Sequence, residues 1–202
     1  MPNAPREDID RYFDYNLLIS KRLIYVGSHE YIDDQESGTD HIMCEYLIKA
    51  LSYLEAVKSD PIVIYMNNDG GDWYHGIAIY DIIMASRCHI TIVGFGSLMS
   101  MGSIILQAAD TRILSPNCCV MIHDGSDNLT GSAKTVENWA EQCKKLRQKM
   151  YQIYFNKMKN KNNGLTLKRV ENMCSNDKIF TPEEAVNVGL ADCILTSTSD
   201  LF

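Results

Sequence analysis

Apolar residues along this chain follow two different periods. Pro61-Ile62-Val63-Ile64-Tyr65-Met66 and Ile90-Thr91-Ile92-Val93-Gly94-Phe95 are near-continuous apolar runs, the pattern of strands covered on both faces. Elsewhere the apolar residues come at three- and four-residue steps. Met43, Tyr46, Leu47, Ala50, Leu51 and Leu54 predict an amphipathic helix over residues 39–57, and a second is expected over about 76–86. Shorter strands are expected at Leu23-Ile24-Tyr25-Val26 and at Arg112-Ile113-Leu114 and Cys119-Val120-Met121-Ile122, the last two around the turn Ser115-Pro116-Asn117. A small-residue helix is expected over residues 100–109. Strand, turn and helix thus recur, which predicts parallel pairing with helical crossovers.

After His123 the pattern changes. Residues 125–131 read as loop, and a long helix is expected over about 132–159. Lys159-Asn160-Lys161-Asn162-Asn163-Gly164 breaks it before a shorter helix over 167–174. Thr181-Pro182-Glu183-Glu184 carries the signature of a capping box with proline at the first helical position. Cys193-Ile194-Leu195 reads as a last strand. Residues 1–15, polar and proline-containing, read as a mobile arm. Residues 16–202 read as one α/β domain, with a projection over about 125–159.

Composition narrows the chemistry. A chain of 202 residues supports one sizeable core, and its formal charge of −7 argues against nucleic acid or an anionic membrane as partner. The N-terminal residues lack the apolar core of a signal peptide, and no run approaches the roughly 18 apolar residues of a membrane span. The seven cysteines are odd in number and form no C-x-x-C pair, so they read as small buried residues in a reducing compartment. A cytoplasmic location is expected.

Three segments combine turn geometry with reactive groups, and each also has a plainer reading. Ser100, in Gly96-Ser97-Leu98-Met99-Ser100-Met101-Gly102, stands where a buried strand meets a helix, beside free N–H groups able to hold an oxyanion. It could equally be a helix cap. His123, in Met121-Ile122-His123-Asp124-Gly125, ends a strand at the rim where sites of parallel α/β folds gather, or is a satisfied, partly buried histidine. Asn68-Asp69-Gly70-Gly71 lets backbone approach a site closely, or is a simple turn.

In order, these segments resemble the Clp protease proteolytic subunit family (ClpP). The family's N-x-P-G-G-like turn matches Asn67-Asn68-Asp69-Gly70-Gly71, and its G-x-A-A-S-M-G-like stretch matches Gly96 to Gly102. Its histidine segment matches Pro116-Asn117 with Met121-Ile122-His123. Its acid and final helix match Asp177-Lys178-Ile179-Phe180-Thr181 and Glu184-Ala185, then Gly189-Leu190-Ala191-Asp192. The similarity runs over about residues 12–195.

The resemblance implies a crotonase/ClpP-like α/β spiral of strand–turn–helix units with a projecting long helix, the handle. It implies a serine endopeptidase with Ser100 as nucleophile, His123 as base and Asp177 as orienting acid, chosen over Asp192 and Asp124, which spacing alone does not exclude. It further implies an oxyanion hole at Gly71 and Met101, and peptide binding along Gly70, Asp124 and Gly125. No metal and no cofactor is expected in this subunit. The implied partners are copies of the chain or related subunits in stacked heptameric rings, unfolded protein or peptide as substrate, and a hexameric AAA+ unfoldase that uses ATP. Asp69, Leu98 and Met99 depart from the family pattern and are expected on the substrate side of the site. Alternatives of related fold are a catalytically silent scaffold subunit of a mixed ring, a capsid-maturation peptidase, and a crotonase-type enzyme acting on acyl thioesters.

Overall fold

The computed structural model describes residues 6–27 and 38–201. Its centre is β4 (Ile90–Met99), bordered on one side by β3 (Ile62–Asn68) and then by β2 (Leu23–Val26), both parallel to it. A two-residue strand β1 (Leu17–Leu18) closes that edge antiparallel to β2. On its other side β4 changes partner along its length. Thr91 to Gly94 pair with β5 (Thr111–Leu114), which in turn pairs with β8 (Cys193–Ile194). Ser97 to Met99 pair with β6 (Cys119–Ile122), which carries β7 (Lys178–Phe180) antiparallel at its outer edge.

The switch has a local cause. Between the rungs Met66↔Gly94 and Asn68↔Leu98, β4 spends two more residues than β3. Gly96 absorbs that bulge at φ 64°, where a side chain would be strained and would meet the Asn67 amide oxygen at 2.9 Å. The Asn67 oxygen accepts from Ser97 N at 3.1 Å, and the Ser97 hydroxyl donates to the Asp69 carboxylate. Asp69 thus ties the turn after β3 to the bent end of β4.

Alternating residues of β3 feed two apolar layers. Ile62, Ile64 and Met66 join the main core under α2 (His41–Val57), α3 (Trp73–Met84), α4 (Met101–Leu106) and the end of α5 (Ala133–Met158). Val63, with Leu23, Val93 and Ile113, forms a smaller layer on the opposite face, covered by Tyr12 and Leu201. Leu98 is wholly buried in the main core, against the space that a Gly94 side chain would need. It therefore does not lie on the substrate side, contrary to the sequence reading, because the pleat turns it inward.

Several boundaries differ from expectation. Residues 6–15 form helix α1 (Arg6–Tyr15) rather than arm. Its docking rests on buried Asp8, which accepts from Ser20 N at 3.3 Å, and on Tyr12, too few inward residues to register as a period. Helix α3 starts at Trp73 because Asp72 caps it, accepting from His75 N at 2.9 Å. Of the seven thiols, all free, Cys119 and Cys193 are exposed rather than buried, each at the first residue of a short strand. Burial pushes the Cys118 and Cys174 thiols up to about 12, which makes them poor nucleophiles.

In α5 the first half is largely exposed, whereas Met150, Tyr151, Ile153, Tyr154 and Met158 are buried against the domain. The helix α6 (Leu167–Cys174) follows, and α7 (Pro182–Val188) opens on a complete capping box. Thr181 accepts from Glu184 N at 3.3 Å, and the Glu184 carboxylate accepts from Thr181 N at 2.9 Å. Replacing Thr181 by Ala is expected to cost about 1 kcal/mol, read as a lowered urea midpoint with an unchanged slope.

Candidate active site

Strand register brings three distant side chains together. The last β4–β6 rung, Met99↔Met121, places Ser100 beside the end of β6, where its N–H donates to Met121 O at 3.0 Å. The last β6–β7 rung, Ile122↔Lys178, places His123 opposite Asp177 one residue further out. The His123 ring spans the two: Nε2 lies 2.7 Å from Ser100 Oγ, and Nδ1 lies 3.2 Å from Asp177 Oδ1. A neutral imidazole protonated on Nδ1 satisfies both contacts, donating to the carboxylate and accepting from the alcohol.

Ser100 occupies the N-cap position of α4, yet its hydroxyl makes no capping bond. Its backbone sits at φ 49°, ψ −120°, a conformation costing a non-glycine residue about 1–3 kcal/mol and maintained only by its surroundings. Gly70, at φ 110°, makes the bend possible from the other side, since a Cβ there would stand 2.6 Å from Ser100 Cβ. Buried Asn68 shapes that turn by accepting from Gly70 N at 2.7 Å. Gly71 follows at φ 142°, where a side chain would meet Thr39 O at 2.4 Å.

The competing carboxylates are engaged elsewhere. Asp192 forms a two-point ion pair with buried Arg112, its oxygens accepting from Nη2 at 2.6 Å and from Nε at 3.1 Å. Asp124 accepts from the Tyr151 hydroxyl at 2.6 Å. Only Asp177 of the three meets His123, and its side chain is 77% exposed, so solvent screens much of its pull on the ring.

A cavity of about 480 Å³ opens beside Ser100 and His123. Gly71, Asp124 and Gly125 stand on its lip, and Trp139, Leu146 and Met150 of α5 give it an apolar wall. Gly70 lies behind, packed on Ser100, and Met101 borders the cavity as the first residue of α4. Among the described residues no group of three or more His, Cys, Asp or Glu side chains is placed to hold a metal ion, and no helix is long and apolar enough to cross a membrane.

Three hydroxyls beside the site carry little signal in the sequence. Ser103 of α4 donates to Ser100 O at 2.7 Å and meets Tyr154 OH at 2.7 Å, while Tyr151 holds Asp124. The one available signal was a pair of phenols three residues apart in the long helix, which places them on one face.

Comparison with known proteins places the geometry in context. The family model described as Clp protease matches residues 7–198. The chain is 30% identical over 195 residues to the ATP-dependent Clp protease proteolytic subunit of Deinococcus radiodurans, a match covering 95% of this chain and 89% of that protein.

Proposed function

Because the chain belongs to the Clp protease family, we propose that it is a serine endopeptidase subunit whose nucleophile is Ser100. The observation that carries this reading is the 2.7 Å approach of His123 Nε2 to a Ser100 hydroxyl held on a strained backbone. His123 takes the hydroxyl proton as Ser100 attacks the scissile carbonyl, then returns it to the leaving amine. Asp177 keeps the imidazole in the required tautomer and steadies its protonated form. The imidazole must be neutral to accept that proton.

The oxyanion is bound by the N–H groups of Met101 and Gly71. Met101 begins a helix, so its N–H has no partner within that helix. Gly71 forms a parallel bridge with Thr39 through Gly70 O and Asp72 N, which turns its own N–H away from Thr39. The peptide lies extended between the Gly70–Gly71 turn and Asp124–Gly125, recognised through its main chain. Its side chain enters the cavity against Trp139, Leu146 and Met150.

The exposed first half of α5 supports its use as a handle between stacked rings of subunits, and the relative's name supports an ATP-driven partner. Unfolded proteins and peptides are the substrates of such a chamber. The paired serine and histidine favour this reading over a silent scaffold or a crotonase-type acyl-thioester enzyme, neither of which needs them.

A fluorophosphonate probe is expected to add one adduct per subunit of the assembled protein, located at Ser100 by peptide mass mapping. No adduct on a folded, assembled sample would sink the proposal. Gly70→Ala drives a methyl into Ser100 and is expected to lower kcat about a hundredfold, with a smaller relative effect on KM.

A further inference from the structure

The serine-peptidase reading leaves one buried arrangement unused. Tyr154, near the end of α5, and Ser103, one turn into α4, are both fully buried. Their oxygens lie 2.7 Å apart, and Ser103 Oγ lies 2.7 Å from the carbonyl oxygen of Ser100. The direction of these bonds follows from the groups. A carbonyl only accepts, so the single hydrogen of Ser103 is committed to Ser100 O. Tyr154 must then donate to Ser103. Burial pushes the Tyr154 phenol far above its ordinary range, so it remains a donor at any working pH.

We infer that Tyr154 and Ser103 are positioning residues for the nucleophile, a two-hydroxyl chain from the long helix that holds the Ser100 carbonyl and so fixes the direction of the Ser100 hydroxyl. This rests on the reading of Ser100 as nucleophile. The Ser100 carbonyl also accepts from Ser103 N at 3.1 Å and Ile104 N at 3.3 Å, and the hydroxyl bond is the shortest of the three. A serine bonding back to a carbonyl three residues earlier is ordinary in helices. Here that carbonyl belongs to a residue with positive φ, and a second buried hydroxyl polarises the first. Rotation of the Ser100 peptide toward a relaxed φ would carry its oxygen away from Ser103 and leave the buried Ser103 hydroxyl without its acceptor. The chain therefore resists the motion that would turn Ser100 Oγ from His123.

The test uses Tyr154→Phe, Ser103→Ala and the double variant in the assembled full chain. Acylation rates with a fluorophosphonate, kcat and KM for a short peptide, and melting temperature are measured for each. Each single variant is expected to lower the acylation rate and kcat about tenfold with KM unchanged. Because Tyr154 acts through Ser103, the double variant is expected to be no slower than Ser103→Ala alone, a non-additivity that loss of general stability does not produce. Wild-type labelling with undiminished rates in both single variants would overturn the inference alone. So would losses that multiply to about a hundredfold in the double variant. A wild-type chain that takes no label would overturn the peptidase reading and this inference with it.

Discussion

Ser100→Ala is expected to leave the fold intact and to reduce peptide turnover on the order of 10⁶-fold, the scale of loss when a triad nucleophile is removed. The substitution deletes one oxygen and adds no volume, so the strained backbone of Ser100 and the packing of α4 beneath it are retained. On the proposed reading, what disappears is the acceptor of the acyl group. His123, Asp177 and the two amides have nothing left to activate, and the residual rate reflects binding and the oxyanion site alone. The measurement pairs kcat on a fluorogenic peptide with a fluorophosphonate adduct and a melting curve. Cleavage persisting above about a hundredth of the wild-type rate would assign the chemistry to another group.

The second large effect concerns stability. Asp192→Ala is expected to destabilise the protein by about 3 kcal/mol, the low end for removing one partner of a buried ion pair. Arg112 is 6% exposed. Its guanidinium would keep the Gln107 side chain at 2.7 Å and Gly189 O at 2.8 Å, but no opposite charge. Asp192 is itself 35% exposed on its side chain, so water reaches the vacated place and softens the loss. At about 2–4 °C per kcal/mol for a chain of this size, the melting temperature is expected to fall by roughly 6–12 °C.

The same pair sets an acid limit. Burial works to raise the Asp192 carboxyl, but hydrogen bonds and charge from Arg112, with Lys157 beyond, outweigh it and hold the group below its ordinary value. A folded-state value below the unfolded one contributes stability above the unfolded value, near 3.9, and loses it as pH falls through the folded one. Melting curves are therefore expected to show a loss below about pH 4 that is reduced in Asp192→Ala.

Much of this arrangement is legible in the residues themselves. The apolar runs of β3 and β4, the period of α2 and the Thr181–Glu184 cap are local signals, and their elements form close to where those signals lie. The rest depends on pairing between distant segments. Lys178 and Ile179 of β7 are exposed, so no apolar alternation announces a strand that exists because β6 lies alongside. The far end of β4 contains Gly96 and Ser97, residues that read as a bend, and is strand because β6 takes up its edge. Asp8 and Tyr12 dock α1 with one polar and one half-polar contact, which hydrophobic patterning does not register. For the site, residue types pointed to Ser100 and His123 as candidates. The choice among Asp124, Asp177 and Asp192 required the family resemblance, and in the fold each of these acids is bound to a different neighbour.

The change of partner along β4 divides the three candidate groups between two branches of the sheet. Imidazole and carboxylate ride on the narrow leaf of β6 and β7, and the alcohol belongs to the trunk. A slide along the seam between leaf and trunk would part oxygen from nitrogen while the ring stayed moored to its acid.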